Sequence, residues 1–159
     1  MAADLALRID AGGMADLPDV MIVMSEAFDP EFGEAWTEAQ CAGVLGMPGC
    51  WLLIARDGDR PSGFAMLRST LDEAELLLIA VRPADRRRGV GAALLAEAIQ
   101  SARASDIGTL HLEVRDGNPA LALYRGAGFI QVGHRPSYYR GRTGKVFDAL
   151  TFNRDLRAD

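Results

Sequence analysis

The feature that most constrains this chain is an apolar run that breaks into an arginine- and glycine-rich turn and then into an amphipathic helical pattern. Leu76 to Val81 reads LLLIAV without a polar residue, as expected of a central strand covered on both faces. The strand ends at Arg82-Pro83, because proline cannot donate to a sheet ladder. Arg86-Arg87-Arg88-Gly89-Val90-Gly91-Ala92 follows. Beyond it Val90, Leu94, Ala98, Ile99 and Ala102 recur at helical spacing, with Glu97, Gln100 and Arg103 on the opposite side. Asp106 and Gly108 stop that helix, and Thr109 to Val114 reads as the next strand. Strand, turn, helix and strand in this order predict two parallel strands joined by a right-handed crossover.

The flanking sequence fits an α/β chain. Leu5 to Asp10 alternates as a short opening strand. Asp16 is placed to cap a helix carrying Leu17, Val20, Met21, Met24 and Ala27 on one face. Residues 29–36 read as a loop, and Thr37 with Gln40 makes a capping box for a second helix. Trp51 to Arg56 and Pro61 to Ser69 form a hairpin around Asp57-Gly58-Asp59. Asn118 with Pro119 opens a short helix that ends near Gly126-Ala127-Gly128. Phe129 to His134 and Val146 to Arg154 close the chain as two strands around a polar loop. With 159 residues and no linker-like tract, the expectation is one domain over residues 1–159.

The glycine turn is suited to an anion. Glycines remove Cβ atoms, so backbone N–H groups converge, and the helix beyond adds its unpaired first-turn donors and positive dipole end. A pyrophosphate fits such a turn, and a glycine-dependent tight turn with solvated arginines is the alternative. A nicotinamide-type fingerprint is disfavoured, because Leu94 occupies its third glycine position. A net charge of −5 disfavours nucleic acid as partner. Two cysteines, Cys41 and Cys50, have no partners at metal-ligand spacing, so no metal is expected. No apolar run reaches the roughly 20 residues of a membrane span, and the first residues do not read as a signal peptide. A cytoplasmic protein, monomer or homodimer, without a membrane or nucleic-acid partner, is the expectation.

Arg86-x-x-Gly89-x-Gly91 resembles the Q/R-x-x-G-x-G/A signature of the GNAT acetyltransferases. The preceding LLLIAVRP resembles their splayed strand, and Asn118 to Phe129 (NPALALYRGAGF) resembles their N…LY…GF block. The resemblance covers residues 74–152 well and the first third in outline. It implies a GNAT fold: an α/β chain with a mixed central sheet of about seven strands, a splayed parallel pair and about four flanking helices. It also implies acetyl-coenzyme A as cosubstrate. The donor would be held by Ile79, Ala80 and Val81, by Arg86, Arg87, Arg88, Gly89, Val90, Gly91 and Ala92, and by Asn118, Ala122 and Tyr124. Leu112-Glu113-Val114-Arg115, Arg135-Pro136-Ser137-Tyr138-Tyr139 and Asp148-Ala149 are similar to segments of the bacterial ribosomal-protein-alanine N-acetyltransferases, which acetylate a protein N-terminus.

On that resemblance Glu113 is the expected base, with Glu75 as its rival, and Tyr124 is the expected acid to the leaving thiolate. The chemistry supports these residue types. A free α-amine has a pKa near about 8 and needs only modest help to become neutral, whereas lysine sits near about 10.4. A phenol stays protonated at neutral pH and can protonate a thiolate. Glu113 has a plain reading as a salt-bridged glutamate, and Tyr124 one as a core aromatic. Tyr138 and Tyr139 are expected to wall the acceptor site, or to be an ordinary strand-end pair. His111 and His134 lack triad partners and are read as structural. A protein N-terminus is the first choice of acceptor; small amines (polyamine, aminoglycoside) or lysine are alternatives, as is a silent acyl-CoA sensor.

Overall fold

The computed structural model describes residues 7–157. The opening strand is β1, Leu7–Gly12, and the first two residues expected in it, 5 and 6, lie outside the described residues. Helix α1, Leu17–Ala27, buries Leu17, Val20, Val23 and Met24. Asp16 precedes it but does not cap it. Its carboxylate instead accepts from the Gly13 N–H at 2.8 Å and pairs with Arg56 at 2.8 Å, tying the turn to the sheet. Helix α2, Glu38–Leu45, begins as expected: Thr37 Oγ1 accepts from the Gln40 N–H at 3.1 Å, and Gln40 Oε1 accepts from the Thr37 N–H at 2.8 Å. Between the helices, residues 29–36 are irregular apart from one 3-10 turn at Pro30–Phe32.

Strands β2 (Cys50–Asp57) and β3 (Arg60–Thr70) form the expected hairpin, turning at Gly58, whose φ is +61°. β4 (Glu73–Val81) follows antiparallel to β3. The remaining strands are β5 (Thr109–Arg115), β6 (Ile130–Arg140) and β7 (Val146–Asp155), giving one sheet in the order β1-β2-β3-β4-β5-β7-β6. Among the described residues only β4 and β5 pair in parallel, joined by helix α3, Val90–Ala104. All five residues expected on the inner face of α3 are buried, as is Leu95. They pack with Leu53, Leu67 and Leu76 on one side of the sheet, while α1 packs with Leu52, Phe64 and Leu78 on the other. Among the described residues no helix is long and apolar enough to cross a membrane.

Two irregularities shape the centre. The β3–β4 register runs Leu67↔Leu76 and then Met66↔Leu78, so Leu77 is an extra residue. A bulge of this kind reverses which residues face which layer and bends the strand. Accordingly Ala74 and Leu76 join the α3 side, whereas Leu78 and Ala80 join the α1 side. At the same point pairing with β5 ends, the last partners being Leu76↔Leu112. The two parallel strands therefore part from Leu77 onward.

The C-terminal third departs from the sequence expectation twice. Helix α4 spans Leu121–Gly126, so Asn118 and Pro119 lie in the turn before it. Asn118 Oδ1 accepts from the Ala120 N–H at 2.8 Å, shaping that turn instead of capping the helix. β6 also runs on to Arg140 through the stretch expected to be a loop. Pro136 interrupts the alternation there, and proline is tolerated because β6 is an edge strand with a bulge between Arg135 and Tyr139. Ser137 takes a φ of 53° in that bulge, and its N–H donates to Asp148 Oδ1 at 2.8 Å.

Candidate active site

The turn between β4 and α3 has the backbone of an anion cradle. Pro83–Asp85 makes one 3-10 turn, Arg86 is extended, and Arg87 and Gly89 are left-handed at φ 63° and 80°. Gly89 is the residue before α3, and the first-turn amides of any helix lack intrahelical acceptors. A Cβ built on Gly89 meets nothing within 4 Å, so there is open space beside the turn at this residue. One on Gly91 would touch Leu123 at 3.4 Å and Val81 at 3.7 Å, which marks how closely α3, α4 and β4 converge.

The three arginines do not share one task. Arg86 donates to the Ala27 carbonyl at the end of α1, at 2.7 Å. Arg88 lies 3.8 Å from Asp85, a buried carboxylate that Arg60 Nη1 holds through both oxygens at 2.9 and 2.8 Å. The Arg87 and Arg88 side chains are exposed beside the turn. Ala92 and Ala122 line opposite walls of a groove of about 510 Å³ between α3 and α4, floored by Leu95, Ile99 and Leu123.

Ile79, Ala80 and Val81 form the free end of β4, beyond its last pairing with β5. Their edge toward β5 carries strand backbone with no strand opposite it. Glu113 projects from β5 on the face opposite Leu112 and Val114, which lie in the α3 core. Glu75 stands opposite His111 in the parallel register, so Glu75, His111 and Glu113 share that face. Both candidate bases thus lie on one surface of adjacent strands. Glu113 is 15% exposed and its Oε1 forms an ion pair with Arg135 Nε at 2.8 Å, while Glu75 is 4.0 Å from Arg68.

Tyrosines surround this face. Tyr138 is half exposed and packs edge-on against Tyr139 with centroids 5.0 Å apart. Burial first, and then the charge of Glu113 and a hydrogen bond to it, push the Tyr138 phenol above its ordinary pKa. Tyr139 is pushed further up, by burial and then by Glu34. Tyr124, on α4, is buried against Phe129 with centroids 6.1 Å apart. Its phenol is raised strongly, chiefly by burial and secondarily by Tyr139 and Glu34. It therefore keeps its proton at neutral pH.

A further acidic side chain, Glu34, is marked by no motif in the sequence. Its side chain is 12% exposed and accepts from Arg115 Nε at 3.1 Å and from Asn118 Nδ2 at 2.9 Å. The only trace in the sequence is its place after Gly33, in a stretch otherwise read as loop. His134, read as structural, pairs with Asp148 at 2.9 Å behind the β6 bulge. Among the described residues no group of three or more His, Cys, Asp and Glu side chains forms a metal site.

Comparisons with known proteins agree with this geometry. Residues 17–129 match the profile of the acetyltransferase (GNAT) family. The chain is 39% identical over 153 residues to N-alpha-acetyltransferase RimI of Mycobacterium tuberculosis, covering 93% of this chain and 88% of that protein. It is 40% identical over 105 residues to the [ribosomal protein bS18]-alanine N-acetyltransferase of Salmonella typhimurium, covering 65% of this chain and 70% of the relative. Among solved structures, the ribosomal-protein-S18-alanine N-acetyltransferase of Escherichia coli superposes with a TM-score of 0.85 at 31% identity, over 94% of each chain.

Proposed function

Because the chain belongs to the acetyltransferase (GNAT) family and is an N-acetyltransferase, we propose that its acceptor is the N-terminal α-amine of a protein, of the ribosomal bS18 alanine type. The whole chain, residues 1–159, acts as one catalytic domain in the cytoplasm. Acetyl-CoA is the donor substrate, and it supplies the thioester acetyl group. The cradle fits it: the open space at Gly89 and the first-turn amides of α3 suit a pyrophosphate, with Arg87 and Arg88 adding positive charge. The pantetheine arm lies along Ile79, Ala80 and Val81, and Ala92 and Ala122 border the donor. Arg86 and Asn118 serve the same site through the backbone, since their side chains hold Ala27 and the α4 turn.

In the reaction the amine nitrogen attacks the thioester carbonyl carbon. A β4 backbone N–H stabilises the developing oxyanion, and the carbon–sulfur bond breaks. Glu113 takes the proton lost by the amine, directly or through one water, with Glu75 as the other carboxylate on that face. Tyr124 gives its proton to the departing thiolate. Tyr138 and Tyr139 wall the acceptor. The observation that carries this reading is the parting of β4 and β5 after Leu76↔Leu112. That gap has the anion turn at one end and opens beside the face that carries Glu113.

The test is thiol release from acetyl-CoA with two basic peptides. One has a free N-terminal alanine; the other is N-blocked and carries an internal lysine. Turnover on the first alone is expected. Turnover on the lysine peptide alone, or on polyamines or aminoglycosides alone, would replace the acceptor. Binding of acetyl-CoA without turnover on any amine would make the chain a sensor.

A further inference from the structure

The segment joining α1 to α2 is fastened to two other parts of the molecule. Phe32 lies beneath the Arg115 guanidinium, 3.6 Å from ring centroid to Cζ, and edge-on to Phe147 at 5.2 Å. The Arg142 N–H donates to the Pro30 carbonyl at 3.1 Å, and a Cβ on Gly33 would collide with the Arg140 carbonyl. These contacts dock the segment on the β6–β7 hairpin. Glu34 docks it on the β5–α4 turn through Arg115 and Asn118.

A continuous path leads on from that second contact. The Asn118 amide nitrogen holds Glu34 while its carbonyl oxygen holds the Ala120 N–H. The Ala120 carbonyl in turn accepts from the Tyr124 N–H at 3.1 Å. Arg115 is 7% exposed, with Phe32 on its face and Glu34 as its charged partner. A buried guanidinium that loses its counter-charge is strongly destabilised where it stands and moves toward water. Phe32 would then lose the cation stacked on it. The Glu34 charge also contributes, after burial, to the raised phenols of Tyr124 and Tyr139.

We infer that Glu34 is a positioning residue for the transfer: it locks the 29–36 segment to the β5–α4 turn, so that the acceptor side and the seat of Tyr124 are set together. The inference rests on the acceptor and acid assignments above. Its charge is essential, because glutamine at this position can keep one hydrogen bond but cannot neutralise Arg115.

The experiment compares the full-length chain with Glu34→Ala, Glu34→Gln, Arg115→Gln and the double variant Glu34→Gln/Arg115→Gln. Steady-state rates on the free-N-terminus peptide are read together with acetyl-CoA affinity and amide hydrogen exchange. Glu34→Ala and Glu34→Gln are expected to raise the peptide KM at least fivefold and lower kcat, with acetyl-CoA affinity within twofold of the parent. The hydrogen-bonded amides of Glu31, Phe32 and Gly33, and those of Asn118, Ala120 and Leu121, should exchange at least tenfold faster while β2 and β3 stay unchanged. The double variant should lose less than the sum of its parts, because the pair acts as a unit. Additive losses, equal losses for both substrates, or unchanged exchange would overturn the inference. If the parent protein turns over neither peptide, the acceptor reading fails and exchange alone decides. Faster exchange at both segments then upholds the lock, and unchanged exchange removes it. Should Glu34→Ala fail to fold, Glu34→Gln carries the same comparison.

Discussion

Arg135 on the edge strand β6 holds its Nε 2.8 Å from Glu113 Oε1 on β5, across the intervening strand β7. The guanidinium is largely exposed, at 61%, while the carboxylate is 15% exposed. The proposed base therefore has an exposed cation already on one oxygen. An incoming ammonium has to compete with that cation. Arg135→Ala is expected to lower the KM of a cationic peptide amine by about two- to fivefold, in keeping with roughly 0.5–1 kcal/mol for an exposed pair. Initial rates at varied peptide concentration and saturating acetyl-CoA measure this. A raised KM would show that Arg135 contacts the acceptor favourably.

Burial raises the Tyr124 phenol, so it stays protonated across the whole neutral range. Tyr124→Phe is expected to lower kcat at least tenfold, about 1.4 kcal/mol of barrier, with acetyl-CoA affinity little changed. Equal kcat would leave Tyr124 as a core aromatic only. The raised pKa also has a sign for stability. An unfolded tyrosine begins to lose its proton near about pH 10, while the folded one keeps it, so stability is complete below that pH and falls as pH rises through it. Tyr124→Phe should flatten that alkaline fall in urea unfolding measured between pH 9 and pH 11.

Much of this was legible from local pattern. The inward face of α3, the Thr37–Gln40 capping box and the β2–β3 hairpin each follow from residue spacing within one element. The motif resemblance carried the fold further, to the seven-stranded sheet with its parallel pair. What escaped depends on distant partners. Asp16 looks like a helix cap until Arg56 arrives from β2 to claim its carboxylate. β6 looked finished at His134 because Pro136 breaks the alternation, yet Asp148 on the neighbouring strand holds the bulge that carries the strand onward. Glu34 was invisible for the same reason: its partners Arg115 and Asn118 lie more than 80 residues away in the chain.

Gly89 offers a way to separate strain from occlusion at the anion turn. Its φ of 80° is left-handed, so any side chain there costs about 1–2 kcal/mol of backbone strain. A Cβ meets no neighbour within 4 Å, so steric collision inside the protein adds nothing to that cost. Gly89→Ala and Gly89→Leu should therefore lower the melting temperature by similar amounts. They should differ in donor binding if the pyrophosphate occupies the open space at Gly89, because a leucine side chain fills far more of that space than a methyl group. We expect Gly89→Leu to weaken acetyl-CoA binding at least tenfold more than Gly89→Ala does, as read by calorimetry on the two folded proteins. Equal affinities with equal losses of stability would mean that the glycine serves the turn alone, and that the pyrophosphate lies elsewhere.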